Sequence, residues 1–338
     1  MHTMKKLLLI SIVVLLLSTL LFTSCNEAED TESTSTTATE TSSAVESSGA
    51  TQNTTTEPEV KKPAIIEYEE LTVPSDGYIL KASDSYITGT LLNISESHPY
   101  QYNLPTLQPS HKIKDSTLKI AGQNLMILFG NTSQNYLLKS SKLFYKTDAF
   151  PYLDAMMTQF AKDSGRNTAQ IVNAYLYSDP STLVNEYVAG YSIAMNMFEN
   201  DATYSLTAAE FSFEYNGKAI TCLDWFIENC PKYGFIYTGL TGSQQQTLAT
   251  FRFVGRPHAI AMSQYDIIDM SIYISTIRLA EKLIAITDES TGQVWYIFYQ
   301  QAHETNENTV LTIPAGATYT VSGDNVGGFI VAYTMPVQ

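Results

Sequence analysis

Hydrophobic and polar positions divide the 338-residue chain into three stretches. Lys5 and Lys6 precede an apolar run from Leu7 to Phe22, which ends in the small pair Thr23-Ser24 before Cys25. Charged, then apolar, then small is the order of a secretory signal. Residues 26–62 are dominated by Ser, Thr, Glu and Ala, with Val45 and Val60 as the large apolar exceptions. Such a stretch buries too little apolar surface to offset its ordering entropy, so it reads as a flexible tether. From Pro63 onward aromatic and aliphatic residues recur throughout, as a packed core requires.

Within that last stretch the periodicity changes several times. Tyr86 to Leu92 reads as a strand. Leu153, Met156, Met157 and Phe160 recur at helical spacing and predict a helix over Tyr152 to Ala161. A second helix covers Cys222 to Asn229 and stops at Pro231, and a third is expected from about Ile267 to Leu283. The last sixty residues turn to strands again, at Val294 to Tyr299, Thr309 to Ile313 and Gly328 to Val331. Strands and helices without regular alternation argue an α+β fold. The expected organisation is a signal over 1–24, a tether over 25–62, a first folded block over 63–283 and a β-rich module over 284–338.

Charge narrows the function classes. The formal balance is 19 − 34 = −15, and removal of residues 1–24 with their two lysines leaves 17 − 34 = −17. A chain this acidic is not expected to grip nucleic-acid phosphates, which need Lys and Arg. Three cysteines are too few for a disulfide framework or a Cys-rich zinc module. Cys222 and Cys230 are eight residues apart in one helical stretch, about 12 Å of rise and too far to bridge. Cys25, placed directly after the small pair, resembles the lipidated Cys of bacterial lipoproteins. The resemblance implies cleavage before Cys25, a lipid on its sulfur and a domain held outside the cytoplasm on the cell membrane. The alternative is an uncleaved anchor, since the apolar run is close to the lower limit for spanning.

One segment carries a sharper signal. Asp224-Trp225-Phe226-Ile227-Glu228-Asn229-Cys230-Pro231-Lys232-Tyr233-Gly234-Phe235-Ile236 reads as a helix, a stop, and a strand entered through Gly234. It resembles an element of VanY-type D-alanyl-D-alanine carboxypeptidases, zinc peptidases that trim the terminal D-alanine from peptidoglycan stem peptides. Phe251 to Ala259 is similar to the strand and turn that follow in that family. Gly89 to Asn93 with His98-Pro99-Tyr100 is similar to its N-terminal strand, and Tyr319 to Asn325 with Gly328 to Val331 to a C-terminal β module that some members carry. The resemblance spans roughly residues 86–335. It implies a carboxypeptidase-like core of antiparallel sheet with flanking helices over 63–283, followed by the small β module.

The family's chemistry needs three zinc ligands and a general base. Aligned on the ligand motif, Gly190 is in place, but the ligand His has become Tyr187 and the ligand Asp has become Ala194. In the second motif the base Glu has become Thr247 and the third ligand His has become Thr250. Alanine cannot ligate, and neutral Tyr and Thr hold their protons near pH 7. The expectation is therefore no zinc, no metal-based catalysis and no cofactor. In the family's substrate-facing turn, Asn173-Ala174-Tyr175-Leu176 keeps the Tyr and places Leu where an Arg would hold a carboxylate. His98, His111, His258 and His303 show no paired ligand spacing and read as structural histidines. The expected reading is a degenerate member that binds a stem peptide or an envelope protein through Tyr175, Tyr187, Gly190, Ser192, Tyr233 and Arg252. For Arg252 two roles stay open, pairing with a terminal carboxylate or a structural ion pair. The other reading of the whole is a working carboxypeptidase with a rebuilt site.

Overall fold

Two sheets, each backed by helices, organise the residues that the computed structural model describes: 77–82, 85, 88–94, 124–175, 186–243, 246–280, 283–305 and 308–335. The strands in chain order begin with β1 (Gly77–Ala82), β2 (Leu125–Ile127), β3 (Leu137–Leu138), β4 (Phe144–Lys146) and β5 (Ala169–Asn173). They continue with β6 (Ser192–Glu199), β7 (Ala202–Tyr204), β8 (Phe213–Tyr215), β9 (Lys218–Ile220), β10 (Phe235–Ser243) and β11 (Gln246–Phe253). The C-terminal strands are β12 (Ile284–Asp288), β13 (Gln293–Gln301), β14 (Asn308–Ile313), β15 (Thr318–Gly323) and β16 (Gly328–Thr334). The helices are α1 (Phe150–Ser164), α2 (Cys222–Asn229), α3 (Arg256–Gln264) and α4 (Met270–Leu279).

The first sheet runs β10-β11-β6-β5-β3, with β7 also paired to β6. Its pairs are antiparallel except β3 with β5. Alternation decides its faces. Ile193, Met195 and Met197 of β6 and Ala249, Phe251 and Phe253 of β11 join one core cluster with Leu153, Met156, Met157 and Phe160 of α1 and Trp225 and Phe226 of α2. Phe160 is central there: its ring stacks on Phe226 at 4.5 Å and meets Trp225 edge-on at 5.3 Å. Helix α1 closes at Gly165, left-handed at φ 68°. Helix α2 opens on a capping box in which the Thr221 hydroxyl accepts from Asp224 N–H and the Asp224 carboxylate accepts from Thr221 N–H.

The second sheet, β12-β13-β16-β15, is antiparallel throughout. One face, through Ile284, Ile297, Ile330 and Ala332, packs on α3 and α4. The other, through Phe329, Val331 and Tyr333, packs on Leu311 and Ile313 of β14, which pairs with β1. Every residue of β16 is consequently buried. The described residues all belong to one compact unit. Helices α3 and α4, before the expected 283/284 boundary, share a core with β12, β13 and β16 beyond it.

The fold is α+β, an antiparallel core with flanking helices and a C-terminal β region, as expected. Two local expectations need correction. The helix expected over 267–283 is α4, shorter at both ends and started by Asp269, which accepts from Ser271 and Ile272 N–H; α3 ahead of it was not expected, and it begins where Gly255 takes φ 87° with Pro257 in the first turn. The strand expected over 86–92 is absent from residues 88–94, which run beside the end of β15: Gly323 N–H donates to Thr88, and Asn93 N–H to Asp324. Tyr86, His98, His111 and Leu176 lie outside the described residues, as do Cys25 and the tether.

Candidate functional site

Strands β6 and β11 place the aligned ligand positions. Their register pairs Thr250 with Ala194 and Arg252 with Ser192. Since Ile193, Met195 and Phe251 face the helices, Ser192, Ala194, Thr250 and Arg252 share the opposite face. Asn173 of β5 is opposite Ala194 on the other side, and Gln170 is opposite Asn196. The face is therefore polar and uncharged around a central methyl group, with the Arg252 guanidinium at one end. It is closed: Ser192 and Ala194 are 0% exposed, Thr250 1%, Asn196 2% and Arg252 5%.

Its hydrogen bonding is incomplete. Thr250 Oγ1 is 3.3 Å from Thr241 Oγ1 on β10. Ser192 Oγ and Asn196 Oδ1 have no hydrogen-bond partner. Arg252 Nη2 donates to the Thr90 and Leu92 carbonyls at 3.1 and 2.7 Å, fastening residues 90–92 to β11. These two bonds hold backbone and are neither the carboxylate pairing nor the ion pair expected for Arg252.

The remaining expected residues are spread around this face. Tyr187 sits half-buried in the 3-10 turn Glu186–Ala189 that leads into β6, and its carbonyl accepts from Gly190 N–H. Gly190 is left-handed at φ 78°, and a Cβ there would come within 2.6 Å of Leu125 Cδ2, so glycine is required. Tyr175 is 3% exposed and bridges to Phe144 through paired backbone bonds. Tyr233 ends the 3-10 turn Cys230–Tyr233, far along the chain from β6, and burial raises its phenol. Thr247 is half-buried opposite Gly242. Alternation puts its side chain on the Ala249 and Phe251 face, away from Thr250. The structure thus brings Ala194 and Thr250 together, sets Thr247 on the other face, and does not lay the six expected binding residues along one open surface.

Beside Gly190 is a group that the sequence reading missed. Tyr145 O–H donates to the Tyr191 carbonyl at 2.9 Å, Tyr191 O–H donates to Asp148 Oδ2 at 3.1 Å, and Lys146 Nζ lies 5.4 Å from the centre of the Tyr191 ring. Desolvation lowers the Lys146 amine, and Asp148 opposes that shift. Asn196 and Gln170 were missed as well. Their signal was present in the alternation Ser192-Ile193-Ala194-Met195-Asn196-Met197, apolar at odd numbers and polar or small at even ones. His258 is 2% exposed, its Nδ1 is 2.9 Å from Tyr273 Oη, and burial lowers its pKa to about 3. It is a structural histidine, as expected. Cys222 and Cys230 are free and buried, and desolvation raises both thiols, so neither is a ready nucleophile.

The geometry can be set against known proteins. No family model matches the chain. A curated D-alanyl-D-alanine carboxypeptidase of Enterococcus faecium is 25% identical over 252 residues, covering 70% of this chain and 77% of that protein. The crystal structure of the vancomycin-resistance D,D-dipeptidase VanXYg, in complex with a D-Ala-D-Ala phosphinate analog, superposes with a TM-score of 0.52 at 19% identity. That match covers 76% of this chain and 98% of the dipeptidase. The chain carries a D-alanyl-D-alanine carboxypeptidase-like domain. Within this domain, zinc does not fit the aligned positions. The donor set there is a methyl group, one hydroxyl tied to a second hydroxyl, and a phenol, none of which is a carboxylate, imidazole or thiolate. Among the described residues no three His, Cys, Asp or Glu side chains converge elsewhere.

Proposed function

We propose that this carboxypeptidase-like domain has lost zinc hydrolysis and works by binding, as a lipoprotein held at the cell membrane through Cys25. Its ligand is a peptidoglycan stem peptide or a protein of the envelope. One observation carries the reading. Ala194 and Thr250 are paired across β6 and β11, where the alignment puts two of the family's ligands, and neither side chain is a metal ligand. A dication placed on that face would meet hydroxyl, amide and methyl groups with no anionic charge to offset its desolvation. Neutral substitutions there leave no stranded charge, so the fold persists while the ionic machinery is gone. The tether of residues 26–62 gives the domain reach from the lipid surface.

The test is metal content and hydrolysis of the purified chain. The expected result is less than one zinc per ten chains and no release of D-alanine from peptides ending in D-Ala-D-Ala. The combined Tyr187→His, Ala194→Asp, Thr247→Glu, Thr250→His variant is expected to gain zinc binding. Stoichiometric zinc and D-alanine release by the natural chain would favour a working carboxypeptidase with a rebuilt site. Membrane attachment is tested separately: Cys25→Ala is expected to release the protein from the membrane fraction.

A further inference from the structure

The second sheet carries a row of tyrosines on the face that it shares with β14. Register sets Tyr296 of β13 opposite Tyr333 of β16, and Tyr333 opposite Tyr319 of β15. Directly opposed residues point to the same side, so the three phenols cross the sheet in line. Tyr333, the middle one, is 2% exposed. The Tyr296 ring stacks on it at 5.3 Å, and Phe298 meets it edge-on at 6.3 Å. To one side of the row Leu311 and Ile313 of β14 close the core over Phe329 and Val331. To the other side the face is open. Tyr319 is 45% exposed there, with Val294, two residues before Tyr296, at 37% and Met335, two residues past Tyr333, at 43%.

Charge decides what such a platform suits. The chain carries a formal charge of −15, yet β13, β14, β15 and β16 contain no Asp, Glu, Lys or Arg. An anionic partner would meet no counter-charge on this face and would be repelled by the rest of the chain. A cationic one would find no carboxylate on these strands to fix it. A neutral partner matches the face. We propose that this face binds an uncharged polysaccharide chain, with one sugar ring on Tyr296 and another on Tyr319. The two tyrosines stand two strand spacings apart, roughly 10 Å, so a chain can reach both at once. The C–H groups on the flat side of a pyranose carry slight positive charge and suit the negative face of an aromatic ring. The phenol hydroxyls can donate to or accept from sugar hydroxyls. Tyr296 is held in place by its stacking on buried Tyr333, so its ring is oriented before a ligand arrives. A single sugar covers only one tyrosine of an open surface, which makes length matter.

This inference goes beyond the carboxypeptidase-like site and holds whether that site binds or hydrolyses. The full chain is titrated by calorimetry with chitohexaose and cellohexaose, both uncharged, with the monomer N-acetylglucosamine, and with hexagalacturonate as an anionic chain of equal length. At least one neutral hexamer is expected to bind in the millimolar range or tighter, and about tenfold or more tighter than the monomer and the anionic chain. Tyr319→Ala is expected to weaken that binding about tenfold, whereas Tyr319→Phe, which keeps the ring, should stay within about threefold. Because Tyr319 is exposed, the Tm of Tyr319→Ala should stay within about 4 °C of the parent. No binding of either neutral hexamer at millimolar concentration, equal binding of hexagalacturonate, or an unaffected Tyr319→Ala variant each overturns the proposal. Self-association of the chain in sedimentation that is lost in Tyr319→Ala, without glycan binding, would assign the face to a second copy and overturn it as well.

Discussion

In the six-stranded sheet, Ser192 and Asn196 are buried with Oγ and Oδ1 unbonded. In the C-terminal sheet, Asp324 is just as buried, at 0% exposure, but its Oδ1 accepts from the N–H groups of Val326, Gly327 and Gly328 and its Oδ2 lies 4.0 Å from Arg278 Nη1. Backbone donors thus satisfy Asp324 Oδ1, while its Oδ2 and Trp295 Nε1 of β13 are without a hydrogen bond, as Ser192 Oγ and Asn196 Oδ1 are in the first sheet. An unpaired buried polar group costs about 1–3 kcal/mol. That cost is borne on the face that carries Ala194 and Thr250. The C-terminal sheet, apolar on both faces, places its buried acid in the turn between β15 and β16, where backbone N–H groups converge. The contrast separates a buried carboxylate oxygen met by three backbone donors from the Ser192 and Asn196 oxygens, which meet none.

The largest effect is expected where packing alone is at stake. Phe160→Ala removes the ring at the junction of α1, α2 and the first sheet and is expected to cost about 3–5 kcal/mol in denaturant unfolding. A loss below about 1 kcal/mol would show that this cluster is not the working core. Asp324→Ala should cost about 2–4 kcal/mol, since three N–H groups lose their acceptor and Arg278 loses its counter-charge. If the variant is as stable as the parent, the contrast drawn above between the two sheets fails on the C-terminal side.

His258 supplies a pH-dependent test. Its folded pKa is lowered by burial to about 3 from 6.5, so the unfolded chain binds the extra proton first. Its stabilising contribution is full above about pH 6.5 and is lost as pH falls from there through about 3. Tm is expected to drop across that window, and Tyr273→Phe, which removes the phenol beside His258 Nδ1, should cost about 1–3 kcal/mol at neutral pH. The smallest effect has the opposite sign. Asn196→Leu, similar in volume, should stabilise by about 1 kcal/mol and raise Tm by roughly 2–4 °C, because it removes an unsatisfied acceptor. Destabilisation instead would mean that the face depends on Asn196 for its structure, and the comparison would need redrawing.

Much of the fold was legible along the chain. Leu153, Met156, Met157 and Phe160 are all buried on the inner face of α1, as their spacing required. Cys222–Asn229 is helical to the residue, because a capping box opens it and Pro231 turns its end into a 3-10 turn. Helix α3 was not legible, since Gly255 and Pro257 at its start read equally as a turn after the β11 strand. The strand-like Gly89 to Asn93 was misread because β-branched and aliphatic residues also suit an extended segment held by side-chain and carbonyl contacts. Of the site, the expectation that Tyr187, Ala194 and Thr250 stand at the family's ligand positions came from the resemblance alone. The burial of Ser192 and Arg252 could not, because neither residue type announces it.

By itself, the sequence determined which side chains could hold a metal: residue identities decide which atoms can ligate, and no fold turns an alanine into a ligand. It also determined which faces of β6 and β11 are apolar, since alternation along a strand is local. Only the tertiary structure decided that Ala194 meets Thr250, that Thr247 points the other way, and that Arg252 is fastened to residues 90–92 some 160 positions earlier in the chain. Strand register and long-range hydrogen bonds depend on which segments meet, and that is settled by the packing of the whole core, not by any one stretch of chain.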